Sequence, residues 1–311
     1  MPHTLLLAAP RGFCAGVDRA VAIVEKALEI YGPPVYVRHE IVHNTHVVDE
    51  LRERGAVFVE DEREAPEGAV IVFSAHGSPP EAFANSRSRN HVLVDATCPL
   101  VTKVHVETRR YASRGLEVVL IGHAGHQEVV GTMGQASDAI RLVERPEDVD
   151  ALPLPEDAEV AYVTQTTLSV DDAQAVVGRL RQRFPLLHHP KRDDICYATQ
   201  NRQDAVKVLA ARCDLVLVVG SPTSSNSNRL VEVARGCGTE AELVEDVDGI
   251  DQRWLSGVEV VGLTSGASAP EALVSEVVAW FRALGTKKVE TVRVVEEDVH
   301  FALPAALGLR G

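Results

Sequence analysis

At 311 residues the chain is long enough for two or three domains of about 100 residues each, and its 45% hydrophobic and 24% charged residues are those of a globular protein. A net charge of −14 argues against nucleic acid or an anionic membrane as partner, because their phosphates would be repelled. No apolar run reaches the roughly 20 residues needed to span a bilayer, and Met1-Pro2-His3-Thr4 lacks the basic region of a signal peptide. Five cysteines, an odd number, fit a reducing compartment rather than a disulfide framework. The expected location is therefore cytoplasmic.

The first apolar run, 5–9, predicts a short buried strand, and it leads into Pro10-Arg11-Gly12-Phe13-Cys14. Beyond Cys14, apolar residues at Val17, Val21, Val24, Leu28 and Tyr31 trace one face of a helix, with Asp18 suited to its positive end and Gly32-Pro33-Pro34 as its stop. A strand from 35, a helix over 47–54 and a strand at 57–59 follow, then an acidic loop and a buried strand at 69–73 that ends in Ser74-Ala75-His76-Gly77. The apolar run 92–94 leads to Cys98, which opens a helix to about Ser113. The strand 117–121 runs into Gly122-His123-Ala124-Gly125-His126-Gln127-Glu128, and the strand 160–163 into Thr164-Gln165-Thr166-Thr167. Cys196 opens a third helix, to about Arg212. The strand 215–219 ends in Ser224-Ser225-Asn226, and the strand 258–263 ends before Ser265-Gly266-Ala267-Ser268.

Three cysteines thus stand in the same local setting, 84 and 98 residues apart. From each cysteine to the polar group after the next strand (His43, His126, Ser224) the distances are 29, 28 and 28 residues. To the group after the later strand (His76, Thr166, Ser268) they are 62, 68 and 72. A nearly fixed first interval and a variable second one describe a threefold internal repeat with loop insertions. Alternating strands and helices predict parallel sheets with covering helices. The expected fold class is α/β: three similar α/β domains that face one another around a single central chamber. The units are expected at 1–96, 97–194 and 195–284 with a tail at 285–311, and the strand within 1–13 is a candidate to pack with the third unit. Ligands of such folds bind beyond the carboxyl ends of the strands, where all of these polar groups fall.

Three thiolates brought together can hold zinc with one open position, or three irons of a [4Fe–4S] cluster with the fourth iron open, and spacing alone leaves both readings standing. Cys213, at the head of an apolar strand, and Cys237, in a Gly-Cys-Gly turn, read as incidental. His43, His76, His126, Thr166, Ser224, Ser225, Asn226 and Ser268 are donors suited to an oxyanion, helped by helix N-termini. Glu128, the carboxylate within 125–130, is a candidate proton donor, because burial would raise its pKa towards working pH. No GxGxxG or GxxxxGK[ST] motif supports a nucleotide site.

The stretches PRGFCAGVDRA, VRHEIVHN, FSAHG, DATCPLVTKVH, IGHAGHQEVVGTMGQ, TQTTLSVDD, DDICYATQNRQ, GSPTSSNSNRL and TSGASAPE, in this order along nearly the whole chain, resemble the family of 4-hydroxy-3-methylbut-2-enyl diphosphate reductases. The resemblance implies three similar α/β domains in a pseudo-threefold trefoil around a central iron–sulfur cluster, a [4Fe–4S] cluster with three cysteine ligands and one open iron site, its ligands Cys14, Cys98 and Cys196. It implies that His43, His76, His126, Ser224, Ser225, Asn226 and Ser268 hold a diphosphate. Thr166 would contact the substrate hydroxyl, and Glu128, with Thr166 and His126, would serve catalysis. The implied reaction is the reductive dehydration of (E)-4-hydroxy-3-methylbut-2-enyl diphosphate to isopentenyl and dimethylallyl diphosphate, the last step of the methylerythritol phosphate route to isoprenoids. Ferredoxin or flavodoxin is the implied electron donor. Two other readings of the same residues are a zinc hydrolase of a phosphorylated substrate, with Glu128 as base, and a non-catalytic iron–sulfur sensor of a diphosphate metabolite.

Overall fold

Leu5, Leu6, Leu7 and Ala8 are buried in succession, which is how a strand covered on both faces of a parallel sheet reads. The structure, a computed structural model, describes residues 2–308. In chain order the elements begin β1 (Thr4–Ala9), α1 (Ala15–Tyr31), β2 (Val35–Arg38), α2 (Thr45–Glu53), β3 (Ala56–Val59), β4 (Val70–Phe73), α3 (Pro80–Ser88) and β5 (Val92–Asp95). They continue with α4 (Pro99–Ser113), β6 (Glu117–Ile121), α5 (Gln127–Met133), β7 (Ile140–Val143), α6 (Pro146–Asp150), β8 (Val160–Thr164), α7 (Val170–Arg183) and β9 (Leu187–His188). The remaining stretch carries α8 (Tyr197–Ala210), β10 (Leu215–Val219), α9 (Ser225–Gly236), β11 (Glu240–Val244), β12 (Val260–Ser265), α10 (Glu271–Ala283) and β13 (Lys288–Arg293).

Packing divides the chain into two compact units. One comprises the residues up to Val17, His43–Val47 and Tyr197–His300; the other comprises Asp18–Val42, Val48–Cys196 and the chain from Phe301. The first unit holds a five-stranded sheet of order β11-β10-β12-β1-β13, parallel throughout, with Leu5 opposite Val261 and Leu217 opposite Leu263. Its core joins Leu5, Leu217, Val261 and Leu263 to Val274, Val277 and Phe281 of α10. The N-terminal strand therefore completes the sheet built by the last third of the sequence. Strand β13, at the sheet's edge, alternates charged residues with Val289 and Val292, so it carries little of the apolar signal that marks the interior strands.

The second unit holds two four-stranded parallel sheets, of orders β3-β2-β4-β5 and β7-β6-β8-β9. Val119, Ile121 and Val160 pack on one face against Val177, Leu180 and Phe184, while Val118, Leu120, Ala161 and Val163 pack on the other against Val104 and Tyr111. In the β2–β5 sheet, Ile71 and Phe73 meet Ala82, and the Phe73 and Phe83 rings stack with centroids 4.5 Å apart. The acidic loop after β3 forms one 3₁₀ turn, Glu62–Glu64, in which buried Glu62 pairs with Arg38 at 2.8 Å. Among the described residues no helix is long and apolar enough to cross a membrane.

Candidate active site

The three cysteines are placed by one recurring device. Each stands between a strand and a helix, and its amide is held by a carbonyl from the loop that follows another strand. Cys14 N–H donates to Ala267 O (3.2 Å) after β12, Cys98 N–H to Ala75 O (3.0 Å) after β4, and Cys196 N–H to Thr166 O (3.1 Å) after β8. The Cys14 turn has further supports: Arg11 donates to Ala8 O and pairs with Glu271, and Gly12, at φ +71°, donates to Ser265 Oγ at 2.8 Å. Cys98 is the N-cap of α4, with its carbonyl accepting from Thr102 N. None of the three is in a disulfide, all three are partly exposed, and burial pushes the Cys14 thiol above its ordinary range.

Each of these thiols, soft, partly exposed and with its backbone fixed in advance, suits thiolate ligation of iron in an iron–sulfur cluster. Among the described residues no three His, Cys, Asp or Glu side chains are grouped as ligands of a single metal ion. An inorganic cluster is larger than one ion, so its thiolates need not lie within a single ion's reach.

In the second unit, the loop after β6 and the loop after β8 bring Glu128 and Thr166 together. Glu128, 2% exposed, lies in the first turn of α5. Its Oε1 accepts the Thr166 amide at 2.6 Å and its Oε2 accepts the Thr166 hydroxyl at 3.0 Å. Burial pushes the Glu128 carboxyl up to about 7, against the opposing pull of the Thr166 hydrogen bonds and with a smaller push from the charge of Asp194. His126 caps the same helix: its Nδ1 accepts the Glu128 amide at 3.2 Å, which in the neutral ring leaves the proton on Nε2. The His76 ring stands edge-on to that of His126, centroids 6.0 Å apart.

In the first unit, Ser224 caps α9, its Oγ accepting from Ser227 N–H at 3.3 Å. Ser268 Oγ lies 3.0 Å from His43 O and 3.4 Å from Ser224 Oγ, so residues 225 positions apart in sequence share one small polar surface. Ser225 is half-buried in the first turn. Asn226 is 5% exposed, and neither Nδ2 nor Oδ1 has a hydrogen-bond partner. A buried carboxamide left unsatisfied costs about 1–3 kcal/mol, which points to a polar ligand. Gly266 permits the arrangement, since a Cβ there would lie 2.0 Å from Ser227 Oγ and 3.3 Å from Asn226 Nδ2.

Sequence reasoning missed the residues that brace these groups. Asp194 is buried, accepts the Thr164 amide at 3.1 Å through Oδ2 and pairs with Lys103 Nζ at 2.9 Å through Oδ1. Gly131 and Gly134 let α5 lie against the loop after β4, where their absent Cβ atoms would meet Gly77 O at 3.0 Å and Pro79 Cβ at 2.4 Å. The signal that could have found them is the acid two residues before Cys196 and the Gly-x-x-Gly spacing at the end of α5.

Parallel α/β sheets whose polar side chains gather beyond the strands' carboxyl ends define a ligand-binding α/β protein built from repeated units. The chain belongs to the LytB protein family, whose model matches residues 5–282. It is 58% identical over 303 residues to a 4-hydroxy-3-methylbut-2-enyl diphosphate reductase of Bordetella pertussis, covering 97% of this chain and 93% of that one. With the enzyme of the same name from Chromobacterium violaceum it shares 53% identity over 307 residues, 99% of each chain. Among solved structures it resembles the E-1-hydroxy-2-methyl-but-2-enyl-4-diphosphate reductase of Plasmodium falciparum, with a TM-score of 0.94, 38% identity, and coverage of 99% of this chain and 97% of that one. A second structure, of an (E)-4-hydroxy-3-methyl-but-2-enyl diphosphate reductase described as the terminal enzyme of the non-mevalonate pathway, aligns with a TM-score of 0.65 at 31% identity over 90% of this chain and 99% of that one.

Proposed function

We propose that this chain, whose relatives are named 4-hydroxy-3-methylbut-2-enyl diphosphate reductase, reduces (E)-4-hydroxy-3-methylbut-2-enyl diphosphate to isopentenyl and dimethylallyl diphosphate, with Cys14, Cys98 and Cys196 as ligands of a [4Fe–4S] cluster. The cluster, when bound, supplies electrons and a Lewis-acidic iron without a thiolate. Ferredoxin or flavodoxin serves as electron donor. His43, His76, His126, Ser224, Ser225, Asn226 and Ser268 hold the diphosphate, which orients the reacting end by remote binding energy. Among them, Asn226 brings an unspent donor and acceptor, and His126 offers Nε2–H because its Nδ1 is already occupied as acceptor.

The observation that carries the reading is the Glu128–Thr166 pair. Loss of a hydroxyl as water needs a proton at that oxygen, and a carboxyl with a pKa of about 7 still holds one at neutral pH. The protonated Glu128 donates to Thr166 Oγ, while the threonine turns its own hydrogen to the leaving hydroxyl. A hydroxyl can do both at once because it is donor and acceptor.

The test is anaerobic purification followed by turnover with dithionite and a mediator dye. A brown protein that converts the hydroxylated diphosphate to the two isomeric products supports the reading. A colourless protein containing zinc, or a brown one that binds substrate without turning it over, refutes it.

A further inference from the structure

Arg202, in α8, is 0% exposed and heads the largest fully buried side chains among the described residues. A buried guanidinium is costly unless it is paired and hydrogen-bonded, and the partners of this one are informative. Nη1 donates to Ala198 O at 3.0 Å and to the Glu297 carboxylate at 3.1 and 3.3 Å; Nη2 donates to Gly12 O at 2.7 Å. Gly12 is two residues from Cys14 and sits in the turn that positions it. Glu297, 15% exposed at its side chain, comes from the segment after β13 and also accepts from Asn201 Nδ2 at 3.0 Å. The guanidinium therefore grips the Cys14 turn with one arm and is neutralised through the other by a carboxylate from the C-terminal segment.

We propose that Arg202 and Glu297 are positioning residues for the Cys14 corner of the metal centre: Arg202 fixes the turn, and Glu297 cancels the charge that the guanidinium would otherwise impose on the cluster. The inference rests on the cluster reading given above. Cluster potentials respond to nearby net charge and to hydrogen bonding. Removing a carboxylate close to one ligand favours the more negative, reduced state and raises the potential. The C-terminal segment, which lies beyond the stretch 5–282 matched by the family model, thereby tunes the potential of the centre.

The experiment is an anaerobic redox titration of holoenzyme, followed by electron paramagnetic resonance, for wild type, Glu297→Gln, Glu297→Asp and Arg202→Lys. Glu297→Gln keeps the size and hydrogen-bonding oxygen but removes the charge, so its potential should move positive, while Glu297→Asp titrates with the wild type. Arg202→Lys keeps the cation but replaces the two-armed fork by a point donor; its potential should stay close to wild type while its cluster bleaches several-fold faster in air. Should Glu297→Gln fail to accumulate, Asn201→Asp adds negative charge at the same spot and should move the potential the other way. A clustered Glu297→Gln with the wild-type potential overturns this proposal alone. A wild type that takes up no cluster overturns both it and the reading on which it rests.

Discussion

Thr166 satisfies both oxygens of Glu128, one through its backbone amide at 2.6 Å and one through its hydroxyl at 3.0 Å. The hydrogen bonds favour the carboxylate and burial favours the acid; burial is the stronger, and the group rests near 7. A proton donor of this kind works while protonated, so kcat should fall as pH rises through about 7. Glu128→Gln should lose roughly 10²–10⁴-fold in turnover, the usual contribution of a positioned acid, and should lose that alkaline limb while keeping the cluster spectrum and diphosphate affinity. Wild-type turnover in this variant would remove Glu128 from the mechanism.

The same shift has a consequence for stability. The unfolded chain gives up this proton at the ordinary glutamate value of 4.5, whereas the folded protein keeps it to about 7. Between those values folding takes up a proton, so the contribution of Glu128 to stability is intact below 4.5 and declines as pH rises to about 7. Fully expressed, the decline amounts to about 3 kcal/mol. Urea denaturation at pH 5 and pH 8 should show Glu128→Gln gaining on wild type at the higher pH. Parallel pH dependence in the two proteins would contradict the raised value.

Asn226 separates binding from folding. Its carboxamide is buried with no partner for either end, so Asn226→Ala removes an unsatisfied group and should leave the melting temperature of the unliganded protein unchanged or higher. Binding should suffer in the same variant. The thermal shift produced by inorganic pyrophosphate, which reports affinity by mass action, should shrink by most of its wild-type size, and KM should rise tenfold or more. A lowered melting temperature with an intact pyrophosphate shift would mean that Asn226 serves the fold and not the ligand.

Much of this fold is written in local pattern. Residues 5–9 of β1 and all of β10 are unbroken apolar runs. Helix α1 buries Ala20, Ile23, Val24, Ala27 and Leu28 at helical spacing, a face that shares only Val24 and Leu28 with the Val17, Val21, Val24, Leu28 and Tyr31 stripe read from the sequence. What is not written locally is supplied by neighbours. β13 is an edge strand with one buried residue, Val292, and α3 begins at the last of three consecutive turn-forming residues, Ser78-Pro79-Pro80. At the site, residue types announced themselves because cysteine, histidine and a serine-rich N-cap are conspicuous after apolar strands. Lys103 and Asp194, 91 residues apart, and Arg202 and Glu297, 95 apart, did not. A lone charge in a helix reads as a solvated face until tertiary packing buries it beside its partner.

Gly131 shows how closely α5 must sit for Glu128 to reach its place. A Cβ at this position would meet Gly77 O at 3.0 Å and Ser78 N at 3.2 Å, in the loop that carries His76. Backbone cannot yield as a flexible side chain would, so Gly131→Ala should cost about 1–3 kcal/mol in chemical denaturation. It should also lower kcat more than it raises KM, because the helix start bearing Glu128 shifts relative to Thr166. An alanine variant with wild-type stability and kcat would show that this contact is slack.

Lys103 and Asp194 form the brace behind the Glu128–Thr166 pair. Asp194 ties to the end of β8 through the Thr164 amide, two residues before Thr166, and Lys103 also donates to the carbonyls of Arg192 at 2.7 Å and Asp193 at 3.0 Å. One ammonium thus closes the loop that leads into Cys196. Lys103→Met strands a buried carboxylate and should cost about 3–5 kcal/mol. Asp194→Asn can still accept from Thr164 while no longer needing the ammonium, so the double variant Lys103→Met/Asp194→Asn should be more stable than Lys103→Met alone. A double-mutant cycle measured by denaturation gives the coupling directly. Additive losses, with no recovery in the double variant, would show that the two side chains act separately and that the loop is held by its backbone contacts.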